Sequence, residues 1–231
     1  MSESPFEMRF DPQTIKHLGV RMYSTISPAL AEIISNSYDA DASRVIVMFE
    51  IIDGNTMSIT IQDNGMGLSY DDITEKFLVI GRNRRECDGD KPSPKYGRLP
   101  IGKKGLGKLA LFGLAATITI RTTQNCLRNA FVLDWNDLMK AEGVYKPKAI
   151  IVNEKSRNES GTIITLSGLK QKEYDINQIA DSLSRIFIFD KDFSLSLKTS
   201  YGDTVVVDNK RKYGTFGIVN ISSVSKHPKC I

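Results

Sequence analysis

The sequence has few of the residues from which disulfide frameworks, zinc sites and histidine-based catalytic sites are built. Its 231 residues include three cysteines, which are widely spaced and form no C-x-x-C pair, and two histidines, His17 and His227. An odd, scattered set of cysteines argues against a disulfide framework and against a zinc site. Because the two histidines lie far apart along the chain, a site made of several histidines is also disfavoured.

Long apolar runs are missing as well. The longest run, residues 109–116, is interrupted by Gly113 and is far too short to cross a bilayer. Residues 1–5 lack the basic stretch followed by an apolar stretch that marks a secretory signal. We therefore expect a cytoplasmic protein that does not associate with membranes.

The overall composition is that of an ordinary globular protein. Hydrophobic residues make up 41% of the sequence and charged residues 25%, with a net charge of +4. This mild positive excess is compatible with an anionic ligand but does not by itself indicate a nucleic-acid-binding protein. The length fits one large domain, or one domain plus a small appendage. We place the domain at residues 1–200, and we expect the extension at residues 201–231 to begin a further domain.

The order of the predicted elements indicates an α+β fold. Alternating apolar and polar residues predict strands, and helical spacing of apolar residues predicts helices. Strands are predicted at residues 44–52, 57–62, 117–123, 129–133, 148–153, 161–167, 193–199 and 204–208, and helices at residues 11–23, 27–38, 71–77, 105–115 and 176–187. This arrangement predicts helices on one face of a mixed, mostly antiparallel sheet.

The predicted helix at residues 27–38 carries an acid and an amide one turn apart. Glu32, Asn36 and Asp39 follow the spacing i, i+4, i+7, which places them on the same face. The opposite face carries Leu30, Ile33, Ile34 and Ser37. A carboxylate in this position can deprotonate a water, and an amide oxygen can ligate Mg²⁺, which prefers oxygen donors. Taken alone, the pattern also fits an amphipathic helix whose polar face is simply solvated.

A second candidate site residue, Asp63, follows a half-buried strand. Asp63 continues the face of the strand that carries Ile59 and Ile61. The glycines that follow, Gly65 and Gly67, let the backbone turn tightly there. A desolvated carboxylate needs a hydrogen-bond donor, and the exocyclic amine of adenine would supply one while selecting against guanine. An ordinary Asp-Asn-Gly turn at the end of a strand is the alternative interpretation.

A glycine-rich segment with Gly102, Gly105 and Gly107 leads into a predicted apolar helix. Free backbone N–H groups at the start of a helix bind phosphate, and the helix dipole adds to this attraction. The spacing also matches a P-loop, but Leu109 stands where that motif has the Ser or Thr that ligates Mg²⁺. The order of the glycines does not match the dinucleotide-binding pattern G-x-G-x-x-G, so a phosphate-binding loop of another kind is favoured.

Together and in this order, the segments resemble the GHKL ATPase superfamily, which includes DNA gyrase B, heat-shock-90 chaperones, sensor histidine kinases and MutL mismatch-repair proteins. Residues similar to its N box are Glu32, Asn36, Asp39 and Ala40; those similar to its two glycine boxes are Asp63, Gly65 and Gly67, and Gly102, Gly105 and Gly107. Gly161 and Thr162 are similar to the strand whose threonine hydroxyl supports the adenine-binding aspartate. The resemblance covers residues 30–166 and implies the Bergerat fold, a two-layer α/β sandwich.

The resemblance implies a role for each matched position. Glu32 would activate the attacking water, Asn36 would bind Mg²⁺, and Asp63 would recognise adenine. Further nucleotide contacts are expected from Asp39, Ala40, Gly65, Met66, Gly67, Gly81, Gly102, Lys103, Lys104, Gly105, Leu106, Gly107, Lys108 and Thr162. The polar and basic residues 81–104 would form a lid over the phosphates.

The function implied is that of an ATPase that binds ATP and Mg²⁺, turns over slowly in isolation and forms a nucleotide-dependent homodimer when its lid closes. Glu32 favours hydrolysis over transfer of phosphate to a histidine. The alternative is an ATP-sensing module with little hydrolysis that engages a client protein or DNA, which the local clusters of basic residues favour. Residues 36–40 and 80–82 are similar to MORC-type, MutL-type and chaperone-like members alike, so the pathway stays open.

Overall fold

The computed structural model describes residues 5–9, 25–79, 89, 91–101, 110–141, 143–187 and 190–209. The helix predicted at residues 11–23 lies outside these ranges, as do residues 105–109 of the helix predicted at 105–115. Of the predicted lid, residues 89 and 91–101 are described.

A mixed sheet of eight strands forms the centre of the fold. The strands of the structure are β1 (Met8–Arg9), β2 (Arg44–Ile52), β3 (Asn55–Asp63), β4 (Ala115–Gln124), β5 (Leu127–Asp134), β6 (Val144–Tyr145), β7 (Lys148–Lys155), β8 (Gly161–Leu169), β9 (Ser194–Thr199) and β10 (Thr204–Val207). The sheet order is β10-β9-β2-β3-β8-β4-β5-β7, and β1 pairs separately with β6. Neighbours in the sheet are antiparallel, except that β2 and β9 run parallel with Val45 opposite Leu195.

Within the described part of the chain, three α-helices accompany the sheet. They are α1 (Ile26–Asp39), α2 (Trp135–Lys140) and α3 (Ile176–Ile186), with a π-helical turn at Asp72–Phe77 and a 3-10 turn at Leu111–Gly113. Within the described ranges, none of these helices combines the length and the apolar character needed to cross a membrane.

One face of the sheet is buried beneath the helices. Buried strand residues include Val45, Val47, Phe49, Ile59, Ile61, Ile118, Ile120, Ile164, Leu166, Leu195 and Leu197. They share one apolar cluster with Leu30 and Ile34 of α1 and with Leu183 of α3. Residues at alternate strand positions stay partly exposed, such as Thr60 and Thr165, whose hydroxyl oxygens lie 3.2 Å apart. This confirms the predicted α+β fold with helices on one face of the sheet.

Two of the differences from the sequence predictions concern helices. Ala115, predicted to end a helix, begins β4, since the turn before it closes where the Leu114 N–H donates to the Leu111 carbonyl at 3.0 Å. Helix α2 is not predicted, because it is too short to show a helical spacing of apolar residues. Its start is set by an N-terminal cap. The Asp134 carboxylate accepts the N–H groups of Asn136 at 2.9 Å and Asp137 at 3.3 Å.

The sheet continues past residue 200. Strand β10 pairs with β9, and Thr204 lies opposite Lys198. Residues 210–231 lie outside the described ranges, so the position at which the domain ends stays a prediction.

Candidate functional site

The Asp63 carboxylate lies at the end of β3 and accepts three hydrogen bonds from different parts of the chain. Its Oδ1 accepts the backbone N–H of Gly65 at 2.9 Å and that of Thr162 at 3.2 Å. Its Oδ2 accepts the Ser37 hydroxyl at 2.9 Å. The carboxylate therefore ties together α1, the turn after β3 and the start of β8.

The Asp63 carboxylate can be stabilised by a further hydrogen-bond donor. Burial raises the pKa of its carboxyl, and the hydrogen bonds from Gly65, Ser37 and Thr162 offset only part of that rise. An ionised carboxylate here therefore pays a desolvation cost that its three donors do not fully compensate. Because Asp63 is only half-buried, the amino group of a ligand can approach it and lower that cost.

The turn after β3 needs glycine at both positions where the sequence supplies it. Gly67 has a φ of +75°, and a Cβ built on it would lie 2.0 Å from the carbonyl oxygen of Thr123. A Cβ on Gly65 would lie 2.7 Å from the carbonyl oxygen of Ala40. The Met66 N–H donates to the same Ala40 oxygen at 2.8 Å. The two glycines let the turn pack directly on the end of α1 and on β4.

The start of β8 completes the floor of the site. A Cβ on Gly161 would lie 2.3 Å from the carbonyl oxygen of Asp63, so only glycine allows β8 to come this close. The backbone N–H of Thr162 reaches the Asp63 carboxylate, whereas its hydroxyl lies 3.1 Å from the Thr122 hydroxyl. The backbone of Thr162 and the hydroxyl of Ser37 both donate to the Asp63 carboxylate, and the role of Thr162 toward a nucleotide stays a prediction.

The three polar residues predicted on one face of α1 differ in their surroundings. Glu32 is half-buried, Asn36 is exposed and Asp39 is buried. Among the described residues, neither Glu32 nor Asn36 has a hydrogen-bond partner for its side chain, so both are available to a ligand. Asp39 instead accepts the backbone N–H of Ile101 at 2.8 Å. It anchors the stretch of chain that leads into the glycine-rich segment.

A Mg²⁺ ion at the site, as the sequence predicts, would be held mainly by a bound nucleotide. Within the described part of the chain, no group of three or more His, Cys, Asp or Glu residues could enclose a metal. The predicted ligand, the amide oxygen of Asn36, lies on the exposed side of α1. Mg²⁺ commonly keeps several waters and binds through one or two protein groups plus substrate phosphates.

Several residues of this network carry no motif signal. Thr122, buried on β4, accepts the Leu68 N–H at 2.8 Å, and the Gln124 side chain donates to the Gly67 carbonyl at 3.3 Å. Both hold the glycine turn in place. Ser37 is the exception. It lies on the apolar face of the predicted helix, and a buried hydroxyl there requires a hydrogen-bond partner.

The structure thus brings Ala40, Asp63, Gly65, Met66 and Thr162 together at the end of α1 and places Gly67 against β4. The other predicted nucleotide contacts, Gly81, Gly102, Lys103, Lys104, Gly105, Leu106, Gly107 and Lys108, lie outside the described residues. Their roles stay predictions.

Comparison with known families gives one match over most of this region. Residues 23–162 match the family model described as histidine kinase-, DNA gyrase B-, and HSP90-like ATPase. The matched range begins just before α1 and ends at Thr162, so it contains every described residue of the site.

Individual relatives are similar over most of the chain. A putative type II restriction enzyme, HgiDII from Herpetosiphon aurantiacus, is 30% identical over 92% of this chain. The DNA mismatch repair protein MutL of Lactobacillus delbrueckii subsp. bulgaricus is 26% identical over 72% of the chain. The chaperone protein HtpG of Idiomarina loihiensis is 25% identical over 71%. The chain spans 34%, 24% and 28% of the lengths of these relatives, respectively.

Proposed function

We propose, since this chain belongs to the histidine kinase-, DNA gyrase B- and HSP90-like ATPase family, that it binds ATP with Mg²⁺, hydrolyses it and uses the nucleotide as a conformational switch. Family membership supports ATP binding and a nucleotide-dependent role. Hydrolysis, the switch and the assignment of individual residues are the further content of the proposal.

The observation that carries the proposal is the environment of Asp63. Its carboxylate is oriented by Ser37, Gly65 and Thr162, and its raised pKa favours an additional donor. The exocyclic amine of adenine is such a donor. A guanine would present a carbonyl oxygen at the same point, which a carboxylate repels.

Glu32 and Asn36 are the proposed hydrolytic residues. The Glu32 carboxylate would accept a proton from a water that attacks the γ-phosphorus, while the bond to the β-phosphate oxygen breaks and ADP leaves with the electron pair. The Asn36 amide oxygen would ligate Mg²⁺, which supplies charge neutralisation at the phosphates when bound. The two side chains lie one turn apart on α1 and, among the described residues, have no competing partners.

The remaining parts of the proposal come from the sequence. Gly102, Gly105 and Gly107 would wrap the phosphates with their backbone N–H groups, within a lid at residues 81–104. Closure of the lid would promote a homodimer. Turnover in the isolated chain is expected to be slow.

A second candidate function is an ATP-sensing module of a DNA-acting protein, with little hydrolysis. It is favoured by the names of two relatives, a putative type II restriction enzyme and a DNA mismatch repair protein. The net charge of +4 is compatible with phosphate contacts. Binding to a DNA duplex that hardly changed between low and high salt would argue against such contacts.

Calorimetric titration with a non-hydrolysable ATP analogue and Mg²⁺ tests the main proposal. The wild-type chain should bind, and Asp63→Asn should not, because the amide puts an N–H donor or a weaker acceptor in place of the carboxylate. Asp203→Asn, at an exposed aspartate between β9 and β10, is the matched control and should bind as the wild type does. A folded wild type that failed to bind would contradict the proposal.

A further inference from the structure

The described part of the predicted lid contains a compact turn that closes on itself. The Ser93 N–H donates to the Arg98 carbonyl at 2.9 Å, and the Gly97 N–H donates to the Ser93 carbonyl at 3.0 Å. The Ser93 hydroxyl accepts the Arg98 N–H at 2.9 Å. Residues 93–98 therefore form a ring whose shape is set by its own hydrogen bonds.

The Arg98 side chain fastens this ring to the end of α1. Arg98 is buried, with 7% of its surface exposed. Its Nη1 donates to the carbonyl oxygens of Ala42 at 2.6 Å and Tyr38 at 3.2 Å, and its Nη2 donates to that of Asp192 at 2.9 Å. The guanidinium also packs 4.2 Å from the centre of the Tyr38 ring. One side chain thus joins the lid, the end of α1 and the stretch before β9.

The Asp41 carboxylate binds the same ring, residues 93–98, through a second set of hydrogen bonds. It adopts a left-handed backbone with a φ of +58°, and its carboxylate accepts the Ser93 hydroxyl, the Lys95 N–H at 2.8 Å and the Tyr96 N–H at 3.2 Å. Burial alone would raise the pKa of Asp41, but these donors and the Arg98 charge together hold it below its ordinary value. The ionised carboxylate is therefore the form that this contact requires.

The fastening continues to the last described residue before the glycine-rich segment. The Ile101 N–H donates to the Asp39 carboxylate at 2.8 Å, and Ile101 directly precedes Gly102 in the sequence. The chain therefore enters the glycine-rich segment from a point that is fixed against α1, the helix that carries the proposed hydrolytic residues.

We propose that Arg98 is a positioning residue for the nucleotide phosphates, which sets the point on α1 from which the glycine-rich segment begins. The inference rests on the proposed function, since it concerns the segment assigned to the phosphates. Arg98 acts through the backbone of the ring, and the carbonyls that its guanidinium binds belong to Tyr38, Ala42 and Asp192 and not to the surroundings of Asp63. Its loss should therefore weaken binding of the phosphates and spare recognition of the base by Asp63.

Arg98→Lys tests this assignment in the 231-residue chain. Lysine keeps the charge, but a single ammonium cannot reproduce the planar fork that reaches carbonyls on two sides. We expect the affinity for a non-hydrolysable ATP analogue with Mg²⁺ to fall about tenfold or more, since hydrogen bonds from a charged group are lost. Affinity for adenosine, titrated at millimolar concentration, should change less than about twofold, within the range of a surface substitution. Arg185→Lys, at an exposed arginine in the last turn of α3, is the control and should change neither.

The outcomes separate the inference from the function on which it rests. Loss of ATP affinity with retained adenosine affinity supports the positioning role. Equal losses for both ligands, or unchanged ATP affinity, overturn it while leaving ATP binding in place. If the wild type bound no ATP analogue, the proposed function itself would fail and the inference with it. Should circular dichroism show that Arg98→Lys does not fold, Ser93→Ala loosens the same ring with Arg98 intact, and the same criteria apply to it.

Discussion

The Ser37 hydroxyl donates to the Asp63 carboxylate over 2.9 Å and so links α1 to the end of β3. The same hydroxyl oxygen lies 3.2 Å from the carbonyl oxygen of Ile33, one turn earlier in the helix. Since a hydroxyl has one proton, the contact to the carboxylate competes with an ordinary intrahelical contact. A ligand that stabilises the ionised carboxylate should strengthen the link between helix and strand.

Ser37→Ala should therefore weaken adenine nucleotide binding. Removal of a neutral donor to this half-buried carboxylate leaves its charge less compensated, and we expect ATP affinity to fall by about threefold to tenfold. Ser35→Ala, at another buried serine of α1, is the control. Equal effects of the two substitutions in calorimetric titration would assign the loss to the helix and not to the Asp63 contact.

Asp63→Asn should keep or raise the stability of the unliganded protein while removing nucleotide binding. The folded-state pKa of Asp63 lies above its ordinary value of 3.8, so the ionised carboxylate costs stability at neutral pH. The wild type should gain stability relative to the variant as the pH falls through that raised pKa, and the gain should level off below 3.8. Thermal melts of both proteins across acidic pH measure this. A wild type that lost stability relative to the variant on acidification would show that the sign is wrong.

Glu32→Gln should reduce ATP hydrolysis without removing ATP binding. The amide keeps the size of the side chain but cannot accept the proton of the attacking water, and loss of a general base costs roughly 10²–10⁴ in rate. Steady-state phosphate release and calorimetric titration measure the two properties separately. Glu50→Gln, at an exposed glutamate of β2 bonded by Ser58, should leave turnover intact. Unchanged turnover in Glu32→Gln would assign the base to another residue.

Gly67→Ala and Gly54→Ala form a matched pair that separates backbone strain from close packing. Their φ angles are +75° and +76°, but a Cβ meets nothing within 4 Å at Gly54 and lies 2.0 Å from the Thr123 carbonyl at Gly67. Gly54→Ala should cost about 1 kcal/mol through strain alone. Gly67→Ala should cost about 1–3 kcal/mol more, because the chain must move apart. Urea unfolding measures both, and equal costs would mean that the turn adjusts freely.

Much of this architecture could be predicted from the sequence, because the signals are local. Alternation along β3 locates both the strand and the face that Asp63 continues, and helical spacing locates α1. The Asp41 and Arg98 contacts could not be predicted, since their partners, which are backbone groups and the Ser93 hydroxyl, lie far away in sequence. A side chain that binds carbonyl oxygens leaves no pattern in the residue types around it.

The same reasoning applies to Thr162. The motif indicates that this threonine lies beside the aspartate, and the structure agrees. Which of its atoms makes the contact depends on how closely β8 approaches β3, and that distance is set by Gly161, where a Cβ would lie 2.3 Å from the Asp63 carbonyl. Proximity follows from the motif, whereas atomic contacts follow from packing.

The parallel pairing of β2 with β9 has a consequence for how the protein is made. Strand β2 leaves the ribosome early, but its partner, with Leu195 opposite Val45, is translated near the end of the described chain. Until then β2 has one unpaired edge, which is a site for mispairing with other chains. Asp192, whose carbonyl receives Arg98, arrives in the same late stretch. A nascent chain therefore cannot complete its central sheet in the order of synthesis, because the pairing of β2 with β9 is a late, long-range step, and such pairings form slowly.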